Sequence, residues 1–533
     1  MVKFGISFSS TLYTVLYYKG ITMKKLTCLL AILSITLGAS TQAADRPNIL
    51  FIAVDDLRPE LGVYGQKHIK SPNIDALART GVTFDRAYCQ QAVCSPTRSS
   101  LMTGTRPDTT KVWDLVTHFR VALPDVVTLS QHFKQNGYFV QGMGKLYHGG
   151  LNDEPSWSVA WQSPKAPTYA LAENIALNAR VFEEEPDDVL EPKAKSGNAL
   201  KAAQAAGERR RWRGPAFEGA DVPDNYFTDG KVAELAVETL GTLSKKKEPF
   251  FLAIGFIKPH LPFVAPKKYW DMYDPAKIVL APNKFFPIDA PAYAIRKEGS
   301  ELGNYYGIPD GSVPDDVARQ LKHGYFSAIS YMDAQLGKVM AELDRLDLRK
   351  NTIVILWGDH GWKLGEHDAW AKHSNTENDT NVPLIISVPG MKNANAHTNA
   401  LVEFVDIYPS LSELAGLPLP KHLEGTSFKP LLDNLQRPWK QAAFSQYHRN
   451  VAETHSEALM GYTMRTDRYR FTVWVARNNH DKVDAIELYD HQTDPQENRN
   501  IAKLPANAAL VAKLMAQWRG GWQAAVPKNT AAR

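Results

Sequence analysis

Three short apolar runs, rich in β-branched and aromatic residues, most restrict the folds open to this 533-residue chain. They span Ile49 to Val54, Phe250 to Ile257 and Thr352 to Trp357, and a shorter run ends near Lys145. Between them lie segments such as "VARQLKHGYFSAISYMDAQLGKVMAELDRL", whose apolar residues recur every three to four positions, as in an amphipathic helix. Strands that alternate with helices predict an α/β fold with a large, mostly parallel sheet and helices on both faces.

Polar residues follow each run, where the strand is expected to end. They are Asp55, Asp56, Lys145, His148, Lys258, His260, Asp359 and His360. Taken one at a time, each is more often an ordinary loop or cap residue. In parallel sheets, however, ligands collect at the carboxyl ends of the strands, so eight such residues together predict one site.

The residue types at these strand ends indicate what such a site would bind. Its three aspartates are hard oxygen donors suited to calcium or magnesium, whereas the scarcity of cysteine predicts no closed zinc site. Arg98, Lys372 and the lysines and histidines above add cationic donors. The pocket therefore suits a tetrahedral oxyanion, either sulfate or phosphate.

The stretch "QQAVCSPTRSSLMTG" at residues 90–104 predicts a helix that begins beside a cysteine. Pro96 is expected as its first residue, which places Cys94 at the N-terminus, where free N–H groups favour negative charge. Arg98 then lies on the same face. Three roles for Cys94 stay open on this pattern: a nucleophile, a buried small hydrophobe, or a disulfide with Cys89.

The first 43 residues read as an export signal, with Lys24 and Lys25 before an apolar run and Thr41-Gln42-Ala43 as a cleavage site. Met23 is the expected start, and an anchoring helix is the alternative. No later segment has the roughly 18 apolar residues of a membrane span. Without residues 1–43 the formal charge falls from +4 to zero, which argues against nucleic-acid binding. A periplasmic or secreted protein is predicted.

The mature chain is expected to divide into a catalytic domain at residues 44–430 and a C-terminal subdomain at 431–533. In the second part, "YRFTVWV" and "AIELYD" predict a small antiparallel sheet. The final helix, "NAALVAKLMAQWRGGW", is expected to pack on the large domain. Residues 151–225 have no assigned role, and their "ERRRWR" run is either a solvated face or a contact for an anionic glycan.

The motif "CSPTR" resembles the C-x-P-x-R signature of the type I, formylglycine-dependent sulfatases. "GKLYHGG" and "GDHGWKLGEH" are similar to other active-site segments of that family, and they occur in the family's order. "FFLAIGFIKPHLPF", "WAKHSN" and "ELYDHQTDP" resemble its iduronate-2-sulfatase branch. The likeness runs from about Arg46 to Asn500 and implies an alkaline-phosphatase/sulfatase-like fold.

This resemblance implies roles for individual residues. Cys94 would be converted to formylglycine by a formylglycine-generating enzyme and would lie beside a calcium ion. The implied metal site comprises Asp55, Asp56, Cys94, Asp359 and His360, the last replacing the asparagine of most sulfatases. The residues implied in sulfate binding and catalysis are Arg98, Lys145, His148, His260 and Lys372. Lys258, Trp362 and His367 have weaker claims to a role.

The predicted function is that of an exported enzyme that hydrolyses the sulfate esters of a sulfated polysaccharide or oligosaccharide. The resemblance favours a 2-O-sulfated uronic acid, and algal glycans such as ulvan or carrageenan are an alternative substrate. A phosphatase or phosphonate hydrolase on the same scaffold, or an inactive glycan-binding module, are the alternative functions. An inactive module would be expected to have lost some of the matching residues, and none is lost.

Overall fold

The computed structural model describes residues 46–183, 213–295, 301–449 and 458–527. The predicted export signal lies outside these residues, as does most of the "ERRRWR" run. Within the described ranges, no helix is both long enough and apolar enough to cross a membrane.

The strands, in chain order, belong to one large sheet, one small sheet and two short pairs. They are β1 Asn48–Val54, β2 Val82–Tyr88, β3 Phe139–Gly144, β4 Arg213–Pro215, β5 Phe217–Ala220, β6 Phe250–Phe256, β7 Phe263–Pro266, β8 Tyr305–Tyr306, β9 Thr352–Gly358, β10 Asn381–Ser387, β11 Ala396–Thr398, β12 Val402–Glu403, β13 Ala442–Arg449, β14 Leu459–Thr466, β15 Tyr469–Ala476 and β16 Asn479–Asp490.

The large sheet has the order β11-β2-β10-β9-β1-β6-β3, with β12 also paired to β2. The four strands that the apolar runs predicted are the adjacent set β9, β1, β6 and β3, and they are mutually parallel. β10 runs antiparallel to both of its neighbours, so the sheet is mixed. The predicted mostly parallel α/β fold is confirmed.

The α-helices connect and cover these strands. They are α1 Pro72–Arg79, α2 Cys94–Thr103, α3 Pro107–Thr110, α4 Leu129–Gln135, α5 Ala172–Glu183, α6 Thr228–Leu243, α7 Lys267–Trp270, α8 Asp315–Arg345, α9 Glu377–Thr380, α10 Ile407–Leu414, α11 Lys429–Asp433, α12 Ala508–Arg519 and α13 Gly521–Ala525.

Two apolar cores cover opposite faces of the large sheet, because successive side chains of a strand point to opposite sides. Leu50, Ile52 and Val54 of β1 pack with the apolar side chains of α6 and α8. Ile49 and Phe51 pack instead with side chains from α2, α4 and α10. The prediction of helices on both faces therefore holds. Every residue of β1, β6 and β9 is buried, so packing on both faces of the sheet holds these strands and the residues that follow them.

The C-terminal sheet is antiparallel, in the order β13-β14-β15-β16, as predicted. Helix α12 forms from the predicted segment, but its apolar face packs on the small sheet rather than on the large domain. The end of the segment does contact the large domain, since the Arg106 guanidinium lies over the Trp522 ring. Leu514 is buried with Phe471 and Val473 of the small sheet, because the apolar face of that sheet offers the nearest surface to cover. The division of the chain at residues 430 and 431 remains a proposal. The small sheet itself starts at Ala442.

Candidate active site

The carboxyl ends of β1, β6 and β9 place their following residues at one edge of the sheet. Val54 is in register with both Phe256 and Gly358. The pairing continues one residue further, since the Asp55 N–H donates to the Phe256 carbonyl at 3.2 Å and the Asp359 N–H to the Val54 carbonyl at 3.0 Å. Asp55 and Asp359 are therefore brought together by strand register, and both are fully buried.

Helix α2 brings Cys94 to the same edge. The helix begins at Cys94, after Val93, so Pro96 is its third residue rather than the expected first. A proline fits there because the first N–H groups of a helix have no intrahelical partner. The Cys94 Sγ lies 3.3 Å from His360 Nε2, 3.5 Å from Asp55 Oδ1 and 3.8 Å from Lys145 Nζ. Cys89 and Cys94 are both free, so the alternative disulfide does not form.

Basic side chains pair with each carboxylate of this edge. Arg98 Nε donates to Asp359 Oδ2 at 2.9 Å, and the Arg98 guanidinium is 3.5 Å from Asp55. Lys145 forms an ion pair with Asp55. Lys372 Nζ donates to both oxygens of Asp56, at 2.8 and 3.1 Å. The predicted cationic residues thus surround the predicted acidic ones.

His260 lies on the turn after β6, and Lys258 shapes that turn. Lys258 Nζ donates to the carbonyls of His260 and Pro262, at 2.8 and 2.6 Å. The Lys258 ammonium group therefore donates to backbone carbonyls of the turn on which it lies. His260 Nδ1 is 2.6 Å from the Leu261 carbonyl, which leaves Nε2 for other partners.

Glu301 is the partner of His260 Nε2, and the sequence reasoning missed it. Its two carboxylate oxygens bridge His260 Nε2 at 3.2 Å and Lys372 Nζ at 2.8 Å. Glu301 belongs to a short 3-10 turn in a long connection, with no apolar strand before it. Asp229 was also missed; it accepts the N–H groups of Ile257 and Lys258, both at 2.8 Å.

Three other predicted residues, His148, Trp362 and His367, differ in which charged groups surround them. His148 is close to Lys145, and its pKa is lowered to about 4 by burial and by that lysine, so it is neutral at pH 7. Trp362 packs its ring 5.0 Å from Lys372 Nζ. His367 is buried, but the nearest charges that act on it belong to Lys363 and Glu497 rather than to the strand-end carboxylates.

Burial sets the protonation behaviour of the central groups. Burial raises the pKa of the Cys94 thiol well above its usual value, and the Asp55 carboxylate raises it further. The helix N-terminus therefore does not produce a thiolate at this position. Burial also opposes ionisation of Asp55, but Lys145, His260 and Arg98 outweigh it and hold its pKa well below the usual value.

A divalent cation fits between four of these side chains. Asp55, Asp56, Cys94 and His360 each offer one ligand atom, and these atoms all lie within 4.8 Å of one another. Ligands of a single calcium ion lie about 2.3–2.6 Å from it, so their mutual distances are of this size. Asp359, the remaining predicted ligand, is not part of this group of four. Its Oδ1 accepts hydrogen bonds from the backbone N–H groups of Asp56 and His360.

Comparison with known proteins agrees with this geometry. The family model named "Sulfatase" matches residues 47–417, and the model "N-sulphoglucosamine sulphohydrolase, C-terminal" matches residues 365–520. The chain belongs to the sulfatase family. It is a sulfuric ester hydrolase, and it is 34% identical to the iduronate 2-sulfatases of Mus musculus and Homo sapiens. These alignments cover 86% and 88% of this chain and 91% and 94% of the two relatives.

Solved structures with the same fold include two enzymes of different named activity. A phosphonate monoester hydrolase from Silicibacter pomeroyi has a TM-score of 0.69 at 21% identity, covering 91% of this chain and 97% of its own. A 2-O GAG sulfatase has a TM-score of 0.64 at 21% identity, covering 89% and 91%. These likenesses establish the fold of this sulfatase.

Proposed function

We propose that this sulfatase is exported and removes sulfate esters from a sulfated polysaccharide or oligosaccharide, with a formylglycine made from Cys94 and a bound calcium ion. The observation that carries the proposal is the position of Cys94. Its Sγ stands at the first turn of α2, within 4 Å of a carboxylate, an imidazole and an ammonium group.

Conversion of Cys94 to formylglycine accounts for the buried thiol better than thiolate chemistry does. The raised pKa makes an unmodified Cys94 a poor nucleophile at neutral pH. A hydrated formylglycine supplies two geminal hydroxyl groups, one to attack sulfur and one to expel sulfate. The partner implied is a formylglycine-generating enzyme that acts on the C-x-P-x-R segment.

Charge balance favours a divalent cation at the strand ends. The surrounding acids are Asp55, Asp56, Asp359 and Glu301, and the strong bases are Arg98, Lys145 and Lys372. Four carboxylates against three bases leave a negative excess, which a calcium ion together with a singly charged sulfate ester would neutralise. We assign Asp55, Asp56 and His360 as its ligands, beside Cys94. Asp359 would join them through Oδ2, which lies 3.4 Å from His360 Nε2, while its Oδ1 keeps its backbone hydrogen bonds. When bound, calcium polarises the sulfate oxygens.

The remaining residues bind sulfate and move protons. Lys145 and Lys372 present ammonium groups that hold sulfate oxygens, and Arg98 fixes the carboxylates behind them. His260 protonates the departing sugar oxygen through Nε2. Because the Leu261 carbonyl holds Nδ1–H, Nε2 carries a proton only in the imidazolium form. Burial lowers the pKa of His260 well below its usual value, and Glu301 opposes this, so Glu301 supports the imidazolium until it releases Nε2 to the substrate. His148 is uncharged at pH 7 and accepts the proton when sulfate is expelled.

A 2-O-sulfated uronic acid at a chain end is the proposed substrate, on the strength of the 34% identity to iduronate 2-sulfatases. The proposed location is the periplasm or the exterior, with cleavage after Ala43, which N-terminal sequencing of the exported protein will test.

The proposal is tested on protein produced with a formylglycine-generating enzyme. Peptide mass spectrometry is expected to show formylglycine at position 94. Sulfate release is then measured on 2-O-sulfated uronic acid oligosaccharides and on ulvan and carrageenan oligosaccharides. Nitrophenol release is measured on nitrophenyl sulfate, phosphate and phosphonate esters. An intact thiol in fully active protein contradicts the formylglycine assignment, and a preference for the phosphate or phosphonate esters contradicts the sulfated-glycan substrate.

A further inference from the structure

A cavity of about 420 Å³ lies between the connection that follows α2 and the C-terminal sheet. Its wall comprises residues 106–109, parts of β13 and β14, and the last two helices. No residue placed in the active site lines it. The ten residues of α2 separate Cys94 from this connection by about 15 Å along the helix axis. The volume is in the range of pockets that bind small ligands.

Aromatic rings form one part of this wall. The ring of Tyr462 lies 4.9 Å from that of His480 and 6.4 Å from that of Trp518, measured between centroids. Trp522 has one face covered by the Arg106 guanidinium, 4.9 Å from its centroid. Such rings provide flat apolar surfaces with polar edges.

The carboxylates deeper in the wall are already fully used. Asp108 accepts hydrogen bonds from Gln446 Nε2 at 2.9 Å and from the Tyr462 hydroxyl at 2.7 Å. Glu424 accepts from the Arg106 N–H and the Thr109 hydroxyl, both at 2.6 Å. These groups set the shape of the cavity. All four donors are uncharged, so none of them offsets the charge of either carboxylate.

Four polar groups at the cavity are without a partner among the residues that the structure describes. They are the Asp481 carboxylate, the Arg519 guanidinium and the indole N–H groups of Trp518 and Trp522. Asp481 and Arg519 offset each other, whereas Arg106 is paired with Glu403, so the carboxylates of Asp108 and Glu424 leave the wall with an excess of acids. A ligand that suits the four groups must both donate and accept hydrogen bonds while presenting an apolar face.

We propose that this cavity is an accessory saccharide-binding site that takes an uncharged or weakly charged sugar unit of the glycan substrate. Sugar hydroxyls donate to Asp481 and accept from Arg519 and the indoles, and the C–H faces of the ring pack on Tyr462 and Trp518. A densely sulfated unit gains little, because Asp481 offsets Arg519. This inference rests on the proposed carbohydrate substrate.

Calorimetry on the full mature protein tests the site with two unsulfated probes, a heparosan hexasaccharide and neoagarohexaose. We expect binding of at least one probe. We also expect Trp518→Ala to raise its Kd about tenfold, and Asp481→Ala or Arg519→Ala to raise it about threefold or more. Arg79→Ala is the matched control, since Arg79, like Arg519, is an exposed arginine at the end of its helix, and it should leave Kd unchanged.

Turnover of nitrophenyl sulfate serves as the folding control and should equal that of the parent in all four variants. If Trp518→Ala fails this control, the proposal is judged on Asp481→Ala and Arg519→Ala. The Asp481 carboxylate and the Arg519 guanidinium bond to no other described residue, so their removal should not disturb the fold. Failure to bind either probe, or equal binding in parent and variants, overturns the accessory site. A parent that binds a probe but releases sulfate from no sugar sulfate contradicts the proposed function instead and supports the binding site.

Discussion

In the described part of the chain, histidines meet carboxylates at metal-ligand spacing in two regions, and these regions are built for different tasks. One is the strand-end site, where the group of Asp55, Asp56, Cys94 and His360 shares Asp56 with a second group of Asp56, His260 and Glu301. The other joins Glu377, His491 and Glu497. In the Glu377 cluster, Arg470 pairs with both glutamates and Arg465 Nε is 3.2 Å from Glu377. The described neighbours of each glutamate thus include a guanidinium group.

The difference lies in which base balances the acids. Arginine stays charged and binds carboxylates through a planar fork, so the Glu377 cluster is neutral and fixes the C-terminal sheet to α9. At the strand-end site Arg98 also pairs with Asp359 and Asp55, but the other two bases are lysines, each with a single mobile ammonium group. The acids there outnumber the strong bases. The Glu377 cluster is therefore suited to holding structure, whereas the strand-end site is suited to accepting a cation and an anion.

Cys94→Ser gives the largest expected effect and should act on chemistry alone. A serine hydroxyl has no geminal partner to expel sulfate, so we expect steady-state turnover of nitrophenyl sulfate to fall by about 10⁴-fold or more. The thermal midpoint should stay near that of the parent. Mass spectrometry is expected to find unmodified or sulfated serine. Sustained turnover near the parent rate, with serine confirmed, would show that position 94 is not the nucleophile.

Asp55→Asn compares the metal-binding capacity of the two clusters. Loss of this carboxylate should remove bound calcium and lower activity by about 10³-fold, because a metal supplies several kcal/mol of transition-state stabilisation. Elemental analysis measures the calcium. Glu497→Gln, in the arginine-paired cluster, should leave calcium content at the parent value. Calcium lost from the second variant and retained in the first would reverse the assignment.

His260→Ala should lower turnover of sugar sulfates by about 10²-fold and that of nitrophenyl sulfate much less, since a sugar oxygen needs a proton to depart and a nitrophenolate does not. Rates on both substrates, measured at saturating concentration, test this. Equal losses on the two substrates would make His260 a binding residue.

Arg470→Met should affect stability instead of catalysis. It leaves buried Glu497 and partly buried Glu377 without their shared base, which costs about 3–5 kcal/mol. Denaturant unfolding measures the loss, and KM of the folded enzyme should be unchanged. Arg499→Ala is the matched control, because Arg499 pairs with Asp289 and both side chains are about half exposed, and it should shift the midpoint very little. A variant of normal stability but without activity would contradict the structural role.

The pH dependence of stability gives the smallest and most specific difference. Burial opposes ionisation of Glu377, but Arg465 and Arg470 outweigh it and lower its pKa from the usual 4.5 to about 2. Its contribution is therefore full above pH 4.5 and is lost as pH falls toward 2. We expect thermal midpoints of the parent to fall across this window and those of Arg470→Met to fall less steeply. Parallel curves would argue against this ion pair as the source.

The sequence predicted the core of the site because strand ends are local features. Apolar runs that stop at Asp55, His260 and Asp359 define both the strands and the chemistry that follows them. The motif around Cys94 likewise predicted a helix start from its own residues. Even the misplacement of Pro96 by two positions is a boundary error within one turn.

What the sequence could not predict depends on contacts between distant segments. Glu301 reaches His260 and Lys372 from a connection with no periodic pattern, and Arg470 meets Glu377 across 93 positions. The packing of α12 on the small sheet is of the same kind, since an apolar face indicates that it will be buried but not against what. The sequence by itself predicted where the central strands end and most of the residues that gather there, though not Glu301 or Asp229. Only the tertiary structure decided which base meets which acid, because those pairings follow from how separate elements pack.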